Sequence, residues 1–151
     1  MKRLMIAAAI LAAANPTLAR DLITCGPQAG KSYYLAGKGI PEKDAGWTDD
    51  GVSGSHLTVS VDENDEYEMV DTGGGRPFSY KADGCTLLGA KFPDQVKVVA
   101  ICPGHSLAVY QFVVSGDGNA TLLVTTVKQT PVLNGMSAFT AKCRVLAPLT
   151  N

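Results

Sequence analysis

Cys85 and Cys102 lie at equal distances on either side of the segment Phe92-Pro93-Asp94-Gln95. Proline suits the second position of a tight turn, because its ring presets φ near the value required there. A hairpin centred on this turn sets Cys85 opposite Cys102, Leu87 opposite Ala100 and Gly89 opposite Val98. The two sulfurs then fall on one apolar face, so the pair reads as a disulfide that locks a hairpin. The other two cysteines, Cys25 and Cys143, are left to tie the ends of the chain together. Four cysteines allow three connectivities, and the hairpin register selects this one. No spacing is CxxC, so zinc-ribbon and thioredoxin-like sites have no footing.

Two disulfides require an oxidising compartment, and the N-terminus supplies the route. Lys2 and Arg3 form a cationic start, and Leu4 to Ala14 run without a charge. Asn15-Pro16 breaks that run, and Thr17-Leu18-Ala19 offers small residues at the positions a signal peptidase reads. Residues 1–19 are therefore expected to be a cleavable signal peptide, and residues 20–151 a single β domain. The apolar run would reach only about 16 Å as a helix, against a bilayer core of roughly 30 Å. The segment Leu22-Ile23-Thr24-Cys25 loosely resembles a lipobox. Thr24 is large for the position before a lipidated cysteine, Arg20-Asp21 interrupts the approach, and lipidation would strand an odd cysteine. The expected location is periplasmic or secreted, with no transmembrane segment in the mature chain.

Beyond residue 19 the apolar positions repeat every two residues, and turn signals arrive at intervals of about 8–12. Candidate strands are 31–37, 57–61, 67–71, 78–81, 85–91, 96–102, 107–114, 120–127 and 139–145. The run 107–114 is apolar on both faces, as a central or doubly covered strand would be. The expected fold is all-β. It is an antiparallel meander of about eight or nine strands forming a small closed or partly open β-barrel, with a two-sheet β-sandwich as the alternative.

Several near-motifs fail on context. Gly30-Lys31-Ser32 ends like a phosphate-binding loop, but Gly26 is one residue too close and a strand follows instead of a helix. Gly104-His105-Ser106 resembles a nucleophile elbow, which needs a strand-to-helix turn; VYQFVV after it reads as strand. Asp62, Glu63, Asp65 and Glu66 lack the spacing and glycine of a calcium loop and read as a solvated acidic turn. His56 and His105 sit on different hairpins. Neither a catalytic constellation nor a metal site is expected, and no cofactor. Without Lys2 and Arg3 the chain is slightly acidic and has no basic patch, which argues against nucleic acid.

The stretch 37–54 stands apart. It reads as an 18-residue connection in a domain of short turns, and such loops are functional or disordered more often than not. It carries the sole tryptophan, Trp47, with Asp49 and Asp50 after it and Tyr33-Tyr34 just before. These five residues are the candidate recognition surface. The alternative is that Trp47 plugs a barrel end while the aspartates cap a turn.

The segments GKSYYL (30–35), KDAGWTDDGVSG (43–54) and SYKADGC (79–85) resemble a family of small, uncharacterised exported proteins of alphaproteobacteria. The family pattern has His where Lys31 stands and Gly where Ser55 stands. The resemblance implies a bacterial, exported protein and assigns no activity. The expected function is a non-catalytic binding module or inhibitor, using 37–54 to hold an unknown protein or small-molecule partner. A structural envelope component is the alternative, and an enzyme without a recognisable motif the second.

Overall fold

A computed structural model of the chain describes residues 19–37, 39–104, 106–130 and 134–149. The signal-peptide segment, Ala19 excepted, and His105 lie outside the described residues. Eleven strands form one antiparallel sheet. They are β1 (Arg20–Cys25), β2 (Gln28–Tyr34), β3 (Gly46–Val52), β4 (Leu57–Val61), β5 (Tyr67–Asp71), β6 (Phe78–Ser79), β7 (Thr86–Phe92), β8 (Gln95–Cys102), β9 (Ser106–Val114), β10 (Asn119–Gln129) and β11 (Asn134–Val145). Nine of them, in the order β6-β5-β4-β1-β11-β10-β9-β8-β7, curl into a half-barrel. Two meanders, β4 to β6 and β7 to β11, are thus joined through β1.

The hairpin register expected from the proline turn is the one observed: Thr86 faces Ile101, Leu87 faces Ala100 and Phe92 faces Gln95. Both disulfides form as expected, Cys85 with Cys102 and Cys25 with Cys143. Cys25 and Cys143 stand directly opposite each other where β1 pairs with β11.

The strand expected at 31–37 is β2, displaced to Gln28–Tyr34, and the last strand starts at Asn134 instead of 139. Three further expectations need correction. The first strand begins at Arg20, because Leu22, Ile23 and Cys25 bury fully between β4 and β11 despite the charges before them. The strand expected at 78–81 shortens to two residues, since Tyr80–Gly84 turn back toward Cys85. The stretch 37–54 is no irregular connection: its second half is β3, fully paired with β2 from Gln28↔Val52 to Tyr34↔Gly46.

The cause of that third difference lies at Gly26-Pro27. Strand β11 is long enough to flank both β1 and β2, which lie end to end along it. Pro27 has no N–H to give the ladder, so pairing breaks there. Across the break, residues 26–27 face residues 53–56 on the returning chain, an excess that swings β3 off the line of β4. Among the described residues β3 pairs only with β2 and forms a sheet edge. Gly30 is required at the crowded junction of β2 with β11: a Cβ there would overlap the Ala138 carbonyl and lie 2.7 Å from the Phe139 Cα.

The open seam of the half-barrel, between β5-β6 and β7, is held by side chains. The Tyr67 ring covers Gly89, where any Cβ would collide with it. Lys91 Nζ meets Asp65 Oδ1 at 2.8 Å, and the Cys85 N–H donates to the Tyr80 carbonyl at 2.9 Å. The concave face carries the core. At one end Phe112, Leu122, Val96, Leu57 and Met69 fill it without exposure. Toward the other end the inward positions shrink to Ala108, Ser106, Thr126, Ser137 and Gly135. There the half-barrel is left unfilled.

Candidate functional site

The alternation of β2 and β3 divides the five predicted site residues between two faces. Tyr33 and Trp47 are directly opposed and point outward, their rings edge to face with centroids 5.3 Å apart. Trp47 is 58% exposed, so it does not plug the barrel. Asp49 also points outward and meets Lys31 across the strands at 3.3 Å, both well solvated. Such a pair contributes at most about 1 kcal/mol.

Tyr34 and Asp50 turn the other way. Ser32, fully buried, donates to Asp50 Oδ2 at 2.7 Å, and the Tyr34 hydroxyl donates to the same oxygen at 3.1 Å. The Gly51 N–H donates to Asp50 Oδ1 at 2.7 Å. These bonds, Ser32 foremost and Lys128 more distantly, favour the carboxylate and hold Asp50 below its ordinary range. Ser32 and Ser137 lie 2.7 Å apart. Since the single Ser32 proton goes to Asp50, Ser137 donates to Ser32.

The outward pair is the start of a longer feature. The registers carry Trp47 to Tyr33, then to Met136, Val127, Leu107 and Ile101, each opposite the next on six consecutive strands. All but the half-buried Tyr33 are exposed. At strand spacing the row spans roughly 24 Å. One step along the strands Leu88, Val99 and Val109 form a second, shorter row. β9 is central, as expected, but its outward face is not covered.

On the concave side the unfilled end is a cavity of about 360 Å³. Phe139, Val124, Tyr110 and Ala108 make its floor, with Phe78 and Tyr80 on the opposing wall. The Tyr80 and Tyr110 hydroxyls are 2.8 Å apart. Burial raises both phenols above their ordinary range, Tyr110 the more, so both stay protonated. Among the described residues two charged side chains line this cavity: Asp71 and Lys128. Asp71 Oδ1 already accepts from Ser55 Oγ and from the Gly73 N–H, each at 2.7 Å. Among the described residues Lys128 makes no ion pair.

Sequence reasoning missed this cavity. Its lining comes from eight strands, and a signal was present only as the fall in side-chain size along the inward positions of β9, β10 and β11. Gly30-Lys31-Ser32 lies inside β2, and Ser106 opens strand β9, which removes the helix both near-motifs need. Asp62 caps its own turn, its Oδ1 accepting from the Asn64 and Glu66 N–H groups at 2.9 and 2.8 Å. No hydrogen bond or ion pair joins His56 to Asp49 or Asp50 among the described residues.

Fold and surface together define a disulfide-bonded β half-barrel, with an apolar convex rim and a cavity in its concave end. The two disulfides indicate an oxidising, extracytoplasmic compartment. No helix among the described residues is long and apolar enough to cross a membrane. The chain matches no protein-family model, no curated protein and no solved structure.

Proposed function

We propose that this is an exported, non-catalytic binding module of a bacterial envelope or secretome, released by cleavage after Ala19, which holds a protein partner on its convex rim. The observation that carries the reading is the exposed apolar row from Trp47 to Ile101. Contiguous apolar surface of this kind is uncommon on proteins that act alone and marks interaction sites. Trp and Tyr at one end match the composition of energetic anchors in protein interfaces. The free edge of β3 beside them offers unpaired backbone groups for an added strand. The resemblance of the 43–54 segment to an exported alphaproteobacterial family agrees with this setting.

The test is capture from the extracytoplasmic fraction of the protein's own host. Wild type, Trp47→Ala and a control, Thr121→Ala, whose exposed side chain lies off the row, are compared. Trp47→Ala is expected to keep both disulfides and its melting temperature while losing the partner by about tenfold or more in affinity. Equal capture by all three proteins would overturn the reading.

A further inference from the structure

The geometry points to a second binding site: the concave cavity takes a small amphipathic anion, with an aromatic or alkyl body on the floor and a carboxylate or similar group at Lys128. The body of this site lies on the concave side, away from the convex rim; Lys128, at the end of the sheet, also borders a groove beside the rim residues Tyr33, Val127 and Met136.

Three observations converge. The cavity is of ligand size and stands in the mouth of a half-barrel, where β-barrels commonly hold small molecules. Its emptiness is built in by sequence: Ala108, Ser106 and Thr126 stand where bulky residues would close the space, although the same strands carry Phe112 and Leu122 lower down. Its floor is aromatic and apolar, through Phe139, Tyr110 and Val124, and Phe78 faces them from the opposing wall.

Charge then decides the orientation and the sign of the ligand. Asp71 is occupied by Ser55 and Gly73, and its field reaches the Tyr80–Tyr110 pair. The floor is thus hostile to an anion and suits an uncharged body. Lys128 is at the rim, in the inward row with Tyr34, Gly135 and Ser106. Asp50 is the carboxylate that senses Lys128, but its oxygens already accept from Ser32, Tyr34 and Gly51 and it makes no ion pair with Lys128 among the described residues. Lys128 therefore has donors to spare, and an incoming carboxylate gains a charge-assisted bond without displacing another.

Three probes with one body test the assignment: phenylbutyrate, phenylbutylamine and phenylbutanol, each titrated into the oxidised protein by calorimetry and by NMR of the floor residues. Phenylbutyrate is expected to bind saturably and to shift Val124, Phe139 and Ala108, and the amine is expected not to bind. Lys128→Gln should weaken phenylbutyrate about tenfold and bring it to the level of the alcohol. Ala108→Leu should abolish binding of phenylbutyrate, with both disulfides intact and no fall in melting temperature. Phenylbutyrate failing to bind at millimolar concentration, the amine binding as well as the acid, or Lys128→Gln leaving phenylbutyrate affinity unchanged would each overturn the proposal. Should Ala108→Leu fail to fold, Thr126→Leu fills the same space from β10 and is read in the same way.

Discussion

At the scale of single residues, Ser32 bears the most on the hairpin that presents Trp47. It is fully buried, it gives its proton to Asp50 and it takes one from Ser137, so it joins β3, β2 and β11 in one chain of hydrogen bonds. Ser32→Ala removes the group that both partners face. The cost expected is about 1–3 kcal/mol, the penalty for leaving polar partners unsatisfied. The same change should move the Asp50 pKa up toward its ordinary value of 3.8, since the Ser32 bond is the largest cause of its depression. The sign follows from linkage. A depressed carboxylate stabilises the fold above its unfolded pKa, and that contribution is lost as pH falls through the folded value. In wild type it is present at neutral pH and disappears only below pH 3.8; in Ser32→Ala it is smaller throughout. An NMR titration of the Asp50 carboxyl in both proteins checks this, and identical titration curves would refute it.

At the scale of elements, the two disulfides act on different lengths of chain. Cys85–Cys102 closes a separation of 17 residues within one hairpin, and Cys25–Cys143 closes 118 between the first and last strands. In the chain-entropy account the longer loop constrains the unfolded chain more. Paired Cys→Ala replacement should therefore cost about 3 kcal/mol at 85/102 and about 5 kcal/mol at 25/143. Denaturant unfolding of the two double variants gives the comparison, and a larger loss at 85/102 would reverse the ranking. The shorter bridge was legible in the sequence because a hairpin is local: one turn fixes the register of every pair in it. β4, β5 and the β7–β8 pairing were legible for the same reason, with alternating apolar residues between clear turns. β3 was not. Gly46-Trp47-Thr48-Asp49-Asp50-Gly51-Val52 has no buried face and two residue types disfavoured in strands, so it carries neither signal of strand. Its structure comes from β2, and it pairs there because Gly26-Pro27 releases it from β4. The five candidate residues were found in the sequence as a group, but their division between two faces becomes visible only once residues 46–52 are known to alternate. Trp47 and Tyr33 then belong to the rim, and Asp50 and Tyr34 to the inward network.

At the scale of the whole molecule, the half-barrel closes its seam on tyrosines. Tyr67 packs on Gly89 from across the gap, and Tyr80 reaches over the cavity to Tyr110. Burial raises all three phenols, Tyr67 to about 12 from an ordinary 10.0. A raised pKa means that the folded chain keeps protons which the unfolded chain gives up. Stability is then fully present below pH 10 and is lost as pH rises through the folded values. Between pH 10 and about 12 the oxidised protein should lose stability steadily, as the unfolded chain gives up the protons that Tyr67, Tyr80 and Tyr110 keep in the fold. Tyr67→Phe keeps the ring on Gly89 and removes one titrating group. The variant should melt close to wild type at neutral pH and decline less steeply above pH 10, with one proton fewer released on unfolding. Melts at stepped pH, with the slope of stability against pH taken for both proteins, measure that proton directly. Equal slopes would mean that Tyr67 ionises as readily in the folded protein as in the unfolded chain and that its phenol does not set the alkaline limit. A lower slope would place the alkaline limit of the fold at the seam, because the aromatic contacts that replace the missing ladder there survive only while the phenols stay neutral.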